Sequence, residues 1–366
     1  MPLVIRELAP DDAELVRAFN ARLAKAGVTF SFPMRRDELL PRDPGSDAPF
    51  QDAYVLTDGA AVRGGYILKE ERLCATGTLF AAGNYQLPLS EGIVDRRYAL
   101  AGLQLIRDAL ARQPRLYCLG MGSTERPLPQ LLTRLGWTVS KVPFLFRVER
   151  AGRFARELRW VRQRRAWRRI LDLARYSGAL ALYVGLSRLR RRVFSARPPR
   201  DLTLHPTASF PADVDELFLR VRESYGLLCD RRAAAMNRKL PPADPKLFRL
   251  LAYRSGRLVG WVCYSRSQLN AHAQFGDMAL GCIVDGLAEP EVIDALVGSA
   301  CARLAGCDLL VSNQSHPAWI AALRRQGFSL GPSNFVLALS PALAAAADRG
   351  RPMHFTRADG DGPINL

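Results

Sequence analysis

The amino-acid sequence predicts an α/β (α+β) protein of two similar domains, each a mixed, mostly antiparallel sheet flanked by helices. The main observation is one pattern that occurs twice, at residues 116–148 and 308–340: an apolar strand, a small-residue loop, a short helix, a Gly–aromatic pair and another apolar strand. A repeated order of elements indicates two copies of one structural unit. The length agrees, because 366 residues exceed the roughly 100–200 residues of a typical domain.

The first domain is expected over residues 1–150. An N-terminal strand precedes a helix whose apolar residues recur at helical spacing, and a proline-rich irregular segment follows. A hairpin around Asp58-Gly59, a strand near 73–80 and a fourth strand ending in the run LPLSEGIV come next. The helix Ala99 to Leu110 then leads into the first copy of the repeat.

Residues 151–200 are predicted to form an arginine-rich helical connector. Between residues 150 and 200 the chain has sixteen arginines, no lysine and two acids, which gives +14 of the total charge of +17. Two helices are expected, Phe154 to Tyr176 and Ala179 to Arg192, with a break at Ser177-Gly178. The positive charge is therefore a local feature of the connector.

The second domain is expected over residues 201–340. It begins with a strand and an acid-capped helix, continues through strands at 248–254, 258–267 and 274–284, and ends with the second copy of the repeat. Residues 341–366 form a tail that ends DGDGPINL. Disorder is expected for this polar tail, and folding back into a cleft is the alternative.

The cysteine content and the hydropathy indicate the redox state of the chain, the absence of a membrane span and the expected location. The seven cysteines include no CxxC pair, so they are expected to be reduced core residues, and no metal site is expected. The N-terminus shows no signal-peptide pattern. The uncharged stretch Tyr176 to Ser187 is shorter than the about 20 residues that span a bilayer. A cytoplasmic location is expected.

The order strand, helix, irregular segment, antiparallel hairpin, strand, helix, strand, helix, strand resembles the GCN5-related N-acetyltransferase (GNAT) superfamily. The resemblance covers residues 3–148 and 201–340. Two copies on one chain are also similar to the FemABX aminoacyltransferases. The pairing of LSEG, GMG and the DGDGPINL ending resembles acyltransferase-like proteins of bacterial polysaccharide loci. The resemblance implies acetyl-CoA or another acyl-CoA as co-substrate.

In that superfamily the fourth strand separates from the fifth, pantetheine inserts between them, and the pyrophosphate binds at the start of the next helix. The resemblance places this phosphate site at DRRYALAGLQLI, and one register puts Arg96 first with Ala99 and Ala101 in the glycine positions. Another register uses Gly102 and Gln104. Arg97 adds a second positive charge.

The second copy lacks this motif. After its fourth strand the sequence reads DGLAEPE, and its acids Asp285, Glu289 and Glu291 are expected to repel a phosphate at the helix start. The first domain is therefore the predicted acyl-CoA-binding domain. The second is expected to shape an acceptor site or to be structural.

The resemblance also indicates where catalytic groups are expected. Glu91, in LSEG on the presumed fourth strand, is the predicted base, and Asp277 holds the comparable place in the second domain. The usual acid of the superfamily is a tyrosine four residues before the Gly–aromatic pair, but Leu132 and Leu323 stand at these positions. Residues that could substitute for the tyrosine are Tyr98, Cys118 and His316.

Two loops after the fifth strands are candidates for lining a site. They read GMGS at 120–123 and SNQS at 312–315, and small or polar residues at strand ends of open sheets are typical of binding sites. Asn313 is predicted to anchor a substrate or a backbone group. Both loops also suit a purely structural role as helix entries.

Three roles fit the connector. An interdomain packing role is expected first and contact of residues 153–197 with an anionic membrane surface second. Nucleic acid comes third, because the domains themselves are not basic. The protein is thus expected to be cytoplasmic and peripheral on the inner membrane face.

Three functions fit these observations. The first is acyl-CoA-dependent transfer to an amine or hydroxyl of a sugar, amino acid or lipid precursor, with a small molecule or glycan precursor as acceptor. The second is a FemABX-like transfer from aminoacyl-tRNA. The third is a non-catalytic binding or assembly protein that retains the fold, which the missing tyrosines favour.

Overall fold

The computed structural model describes residues 2–159, 169, 173, 176–194, 199–272 and 274–360. The chain forms two compact units, of which the first comprises Met1–Ser140 and Val336–Asp348. The second comprises Lys141–Phe335 and Arg349–Leu366. Each unit is described below by itself.

The first part of the chain carries elements of both units and the connector. In chain order they are β1 (Val4–Glu7), α1 (Ala13–Lys25), β2 (Phe50–Thr57), β3 (Val62–Ala75), β4 (Thr78–Ser90), α2 (Ala101–Arg112), β5 (Leu116–Leu119), α3 (Pro127–Arg134), β6 (Thr138–Lys141), β7 (Phe144–Val148), α4 (Ala151–Glu157) and α5 (Ala179–Phe194).

The remaining elements follow the connector. In chain order they are β8 (Leu202–Thr207), α6 (Asp213–Val221), β9 (Leu227–Cys229), α7 (Ala233–Lys239), β10 (Leu247–Arg254), β11 (Arg257–Gln268), β12 (Ala279–Ala288), α8 (Ile293–Arg303), β13 (Leu309–Asn313), α9 (Pro317–Arg325), β14 (Ser329–Gly331), β15 (Val336–Leu339), α10 (Pro341–Ala346) and β16 (Met353–His354).

Each unit contains the predicted mixed, mostly antiparallel sheet. In the first unit the strand order is β1-β2-β3-β4-β5-β15-β6, with β4 and β5 parallel. In the second unit the order is β14-β7-β13-β12-β11-β10-β8, with β12 and β13 parallel. The predicted fold class is confirmed, and the two sheets repeat one arrangement.

One feature of the topology differs from the sequence expectation. Strand β7 follows the last helix of the first repeat, yet it pairs with β13 and β14 in the second unit. Strand β15 follows the last helix of the second repeat, yet it pairs with β5 in the first unit. The compact units therefore differ from the predicted ranges 1–150 and 201–340 at these two strands. They also divide the predicted connector and tail, since residues 151–200 and 349–366 belong to the second unit and residues 341–348 to the first.

The turn between β3 and β4 also lies elsewhere than expected. The predicted strand near 73–80 is divided between β3 and β4 by a turn at Thr76-Gly77, where both residues have positive φ, 50° and 78°. The result is a long hairpin in which Ala75 pairs with Thr78.

Helices cover both faces of the first sheet. On one face α2 and α3 pack through Leu105, Ile106 and Leu132, and on the other α1 packs through Phe19 and Leu23. In the second unit α8 and α9 bury their apolar faces, including Leu323, on one face of the sheet. Leu132 and Leu323 are thus core residues, because a leucine on the buried face of a short helix packs without needing a hydrogen-bond partner.

The connector begins and ends as helix. α4 starts at Ala151, and α5 starts directly after the break that was predicted at Ser177-Gly178, where Gly178 has φ 75°. Most of the remainder of the first predicted helix, with Trp160 and Trp167, lies outside the described residues. Over the part of the chain that the structure describes, no helix is long and apolar enough to cross a membrane.

Candidate functional site

A cleft opens between β4 and β5 in the first unit. The two parallel strands are paired only at Gly83–Leu116 and Asn84–Tyr117, after which β4 continues to Ser90. Opposite β3 the register shifts, so that Leu87 and Pro88 form a bulge with Leu87 at φ 45°. A bulge bends its strand and disrupts the local ladder. The strands therefore diverge from a closed end at Asn84 towards an open end at Ser90.

The loop at the open end leads into the start of α2. Gly92 is required there, because a Cβ at this position would lie 2.4 Å from the carbonyl oxygen of Tyr98. α2 begins at Ala101, and a Cβ added at Gly102 would meet no atom within 4 Å. The first turn of a helix presents unpaired N–H groups and the positive end of the helix dipole. Open space over Gly102 thus lies where an anion is favoured.

The predicted phosphate-binding arginines lie in this loop. Arg96 and Arg97 are exposed, and Arg97 forms an ion pair with Asp95 at 2.6 Å. This hydrogen bond from Arg97 lowers the pKa of the Asp95 carboxyl. Ala99 is exposed and Ala101 is buried under the helix. The structure brings the predicted cofactor-binding residues together at the mouth of the cleft, with Asp95 neutralising one arginine.

Glu91 is held in a network of arginines. Its Oε1 accepts a hydrogen bond from Arg22 at 2.7 Å, and its Oε2 accepts one from Arg63 at 3.0 Å. Arg63 also donates to Asp58 at 2.7 Å and lies 4.7 Å from the ring centre of Tyr98. Glu91 and Tyr98, both predicted as catalytic, are therefore joined through one guanidinium. Glu91 follows the end of β4, roughly 20 Å along the strand from Asn84.

A buried polar cluster that the sequence analysis missed lies at the closed end of the cleft. Tyr117 donates a hydrogen bond from its hydroxyl to Oε1 of Glu71 at 2.6 Å, and Lys69 forms an ion pair with the same oxygen at 2.9 Å. All three side chains are buried. Tyr117 is paired with Asn84, the last residue of β4 before the strands diverge.

Part of this cluster could have been predicted from the sequence of β3. Lys69 and Glu71 belong to a run of four charged residues, KEER at 69–72, between apolar parts of β3. Residues two apart in a strand point to the same face. A buried pair of opposite charges within one strand needs partners across the sheet. Tyr117 is separated from Glu71 by 46 residues, and only the strand order β3-β4-β5 shows that it is that partner.

The matching cleft of the second unit is occupied by the chain's own C-terminal segment. β12 and β13 pair from Leu280–Leu309 to Ile283–Ser312 and then separate. Residues 353–359 lie in this opening. His354 donates from Nε2 to the carbonyl oxygen of Gly286 on β12 at 2.8 Å, and beyond β13 the N–H of Phe355 donates to Ser315 Oγ at 2.7 Å.

Residues 353–359 are therefore ordered, and disorder was the wrong expectation for this part of the tail. Gln314 and Thr356 form an antiparallel bridge, so the segment adds strand-like contacts at the end of β13. It occupies the place where the superfamily resemblance puts pantetheine. Residues 361–366 of the predicted tail lie outside the described residues.

A buried ion cluster holds the C-terminal segment in place. Asp359 accepts hydrogen bonds from Arg231 at 2.8 Å and from Lys239 at 3.1 Å. Arg231 also pairs with Asp285 at 3.1 Å, and all four side chains are buried. Burial raises the pKa of the Asp285 carboxyl, against the opposing effect of the Arg231 charge. The charges of the two cations and the two carboxylates in this cluster therefore sum to zero.

The expected role of Asp285 at a helix start is therefore wrong. The apolar run continues the strand to Ala288, so Asp285 lies on β12 and not in the following loop. Of the other two predicted acids, Glu289 pairs with Arg220 and Arg257, and Glu291 pairs with Arg254. The loop before α8 is tied to its own unit by these ion pairs.

The remaining predicted residues of the second unit lie apart from one another. Asp277 is in the loop before β12, where it accepts a hydrogen bond from the Ala271 N–H at 2.6 Å and its side chain is 58% exposed. Asn313, at the end of β13, accepts one from Arg357 at 2.8 Å. Asn313 thus anchors the C-terminal segment, while Asp277 lies at the opposite end of β12 from the opening.

His316 and Cys118, predicted as substitute acids, are placed in structural roles. The Nδ1 of His316 accepts from the Ala318 N–H and caps α9, and Cys118 is part of the core under α2. Burial lowers the pKa of His316 to about 4. His316 is therefore neutral near pH 7 and lacks the imidazolium proton that a general acid would donate.

His354, which is buried, and His316, which is partly buried, make stability depend on pH. Burial lowers the pKa of His354 as well as that of His316, so below about pH 6.5 the unfolded chain binds protons that the folded chain does not. Stability is expected to fall from pH 6.5 towards pH 4, by about 2 kcal/mol at pH 5 for His316 alone. Urea unfolding at several pH values measures this.

The control for this pH dependence is His316→Asn. Asparagine retains an acceptor for the Ala318 N–H and does not titrate. The variant should lose part of the decline in stability between pH 6.5 and pH 5. An equal decline in both proteins would contradict the assignment to His316.

Comparisons with known proteins identify the fold. No protein-family model matches the sequence, and no curated protein matches it significantly. A probable N-acyltransferase from Enterococcus faecalis V583 has a similar structure, with a TM-score of 0.55 and 11% identity over 93% of this chain and 73% of that one. A GCN5-related N-acetyltransferase from Anabaena variabilis has a TM-score of 0.56 and 9% identity over 92% and 72%.

The N-myristoyltransferase of Saccharomyces cerevisiae, solved with bound myristoyl-CoA, is also similar. Its TM-score is 0.50, with 10% identity over 93% of this chain and 83% of that one. Each of these likenesses extends over both units. The chain therefore has the GCN5-related N-acetyltransferase fold that the order of its elements predicted.

Proposed function

We propose that this chain is an acyl-CoA-dependent acyltransferase whose first unit binds the acyl-CoA and transfers its acyl group to an amine or hydroxyl. The observation that carries the proposal is the contrast between the two clefts. The first cleft leads from a strand bulge to an open helix start, whereas the second is filled by residues 353–359. The acyltransferase descriptions of the similar structures support the same chemistry.

The cleft offers a binding surface along the whole co-substrate. The edge of β4 from Tyr85 to Ser90 can form strand-like hydrogen bonds with pantetheine, as an extended peptide does when it adds to a sheet edge. The pyrophosphate then reaches the first turn of α2 beside Arg96 and Arg97, where helix dipole and arginine charge act together. The thioester consequently lies at the closed end, near Asn84 and Tyr117.

The cluster at the closed end supplies a proton path. When an amine or hydroxyl acceptor attacks the thioester carbon, its proton passes to the oxygen of Tyr117 while the Tyr117 hydroxyl proton passes to Glu71. Lys69 balances the charge of Glu71 before transfer. The new C–N or C–O bond forms as the C–S bond breaks, and the sulfur leaves as the CoA thiolate. A thiol with a pKa near 8.5 can leave in this form, which suits a fold without the usual tyrosine.

Removing the Tyr117 hydroxyl is expected to slow turnover. Tyr117→Phe should lower kcat about 100-fold or more, because general-base assistance contributes roughly 10²–10⁴, while the acyl-CoA dissociation constant stays within about twofold. Glu71→Gln should act in the same direction. Steady-state kinetics and acyl-CoA titration measure the two effects separately.

The comparison variants are Tyr98→Phe and Glu91→Gln, since sequence analysis predicted Tyr98 as an acid and Glu91 as the base. Both residues lie at the mouth of the cleft. If kcat falls only in these two variants and not in Tyr117→Phe, the catalytic groups are Glu91 and Tyr98. Full kcat in Tyr117→Phe would contradict the proton path and leave acyl-CoA binding unaffected.

The function itself is tested by thiol release from acetyl-CoA and from a long-chain acyl-CoA. Acceptors would include amines and hydroxyls from sugars, amino acids and lipid precursors. Release of CoA that depends on an acceptor supports the proposal. Activity that requires aminoacyl-tRNA and is destroyed by RNase would favour the FemABX-like alternative. Absence of both activities and of acyl-CoA binding would favour a non-catalytic role.

A further inference from the structure

The connector helix α5 carries a row of exposed leucines. Leu182, Leu186 and Leu189 are 64%, 57% and 57% exposed. Residues spaced by four and three positions lie on one face of a helix, so these three side chains form a continuous strip, here named the leucine face. Leu173 and Tyr176, which precede α5, are also exposed.

The opposite side of α5 is fixed to the second unit. Val184 is buried, and Ser187 donates a hydrogen bond to the Gly327 carbonyl oxygen at 3.4 Å. Arg188 donates to the Glu149 carbonyl oxygen at 2.8 Å, and Arg191 pairs with the Glu149 carboxylate at 3.1 Å. These contacts set the rotation of the helix, and the leucine face is therefore directed away from the core of its own unit.

The charge around the leucine face indicates the chemistry of its partner. The segment from residue 150 to residue 200 contains sixteen arginines and two acids, and residues 188–192 read RLRRR. A helix with an apolar strip and arginines beside it matches a surface that is anionic outside and apolar beneath. A membrane with anionic headgroups has this structure, and it attracts nearby arginines electrostatically.

We propose that the leucine face of α5 docks on an anionic phospholipid membrane. The leucines enter the boundary between headgroups and acyl chains, and the positive charge of residues 150–200 attracts the headgroup phosphates. Nucleic acid would use the arginines but would leave the leucines in water. Pairing with a second copy would cover the leucines but would bring two connectors of charge +14 together, which like-charge repulsion opposes. This inference goes beyond the acyltransferase proposal and does not depend on it.

The test is co-sedimentation of the full chain with vesicles. One set contains phosphatidylcholine with about one third phosphatidylserine, and the other contains phosphatidylcholine alone. The intact protein should bind the anionic vesicles at least tenfold more tightly, and binding should weaken in high salt because screening reduces the electrostatic attraction. The variant Leu182→Glu with Leu186→Glu should lose at least tenfold in affinity for the anionic vesicles.

The matched control is Leu219→Glu, because Leu219 on α6 is also about half exposed, at 51%. It should retain membrane binding. Unchanged binding in the double variant, or equal losses in the variant and control, would overturn the proposal. So would a concentration-dependent dimer of the intact protein that the double variant abolishes in sedimentation velocity, since the leucine face would then pair with a second copy. Preferential binding of RNA over the anionic vesicles would overturn it as well.

Discussion

Replacing Asp359 with Ala is expected to lower the free energy of unfolding of the second unit by about 3–5 kcal/mol. Asp359 accepts hydrogen bonds from Arg231 and Lys239, and all three side chains are buried. Without this carboxylate Arg231 keeps its ion pair with Asp285, but Arg231 and Lys239 both lose the negative charge of Asp359. An uncompensated buried cation costs far more than a lost surface ion pair.

Urea unfolding followed by tryptophan fluorescence measures this loss, since Trp261 and Trp319 belong to the core of the second unit. The control is Asp201→Ala, which removes an exposed partner of Arg254 and should cost less than about 1 kcal/mol. Adding Lys239→Met to Asp359→Ala should recover part of the stability, because it removes one of the two buried cations that the Asp359 charge balances. Equal, small effects of Asp359→Ala and the control would show that the segment is not held in the cleft.

Replacing Gly102 with Glu is expected to weaken acyl-CoA binding at least about 100-fold, which corresponds to about 2.7 kcal/mol. The position has no atom within 4 Å of an added Cβ, so the folded protein tolerates the side chain. The new carboxylate would stand at the first turn of α2, where the pyrophosphate is proposed to bind. Both its volume and its charge oppose the phosphate.

Calorimetric titration with acetyl-CoA and a long-chain acyl-CoA measures this effect. Gly152→Glu is the matched control, because Gly152 on α4 is equally free of neighbours and belongs to the second unit. The control should bind as the intact protein does. Retained affinity in Gly102→Glu would remove the start of α2 from the binding site.

Local sequence patterns were sufficient to predict the order of elements. The helix and strand periods, the turn at Asp58-Gly59 and the break at Ser177-Gly178 are all short-range signals, and the structure contains each of them. The placement of β7 and β15 was not predictable in this way. Both strands have apolar side chains suited to a central position, so the same sequence pattern fits either sheet, and only tertiary pairing decides between them.

The candidate site likewise has one part that a short stretch of sequence predicts and other parts that depend on residues far apart in the chain. The loop with Arg96, Arg97 and Gly102 is contiguous in sequence, and its role as a phosphate site was predicted from the superfamily resemblance. The closed end depends on Glu71 and Tyr117, which are 46 residues apart, and the occupied second cleft depends on Arg231 and Asp359, which are 128 residues apart. Such contacts leave no short motif, because residues distant in the chain meet only through the sheet order.

The most direct test of the central claim, one open acyl-CoA cleft in the first unit, is hydrogen exchange with and without bound acyl-CoA. Exchange of backbone N–H groups reports which strands and helix starts a ligand protects. The expected result is slower exchange at residues 85–103 and 117–122, with no change at 284–290 and 313–316. Protection of the second pair of segments, with the first unchanged, would place the co-substrate in the second unit and contradict the account.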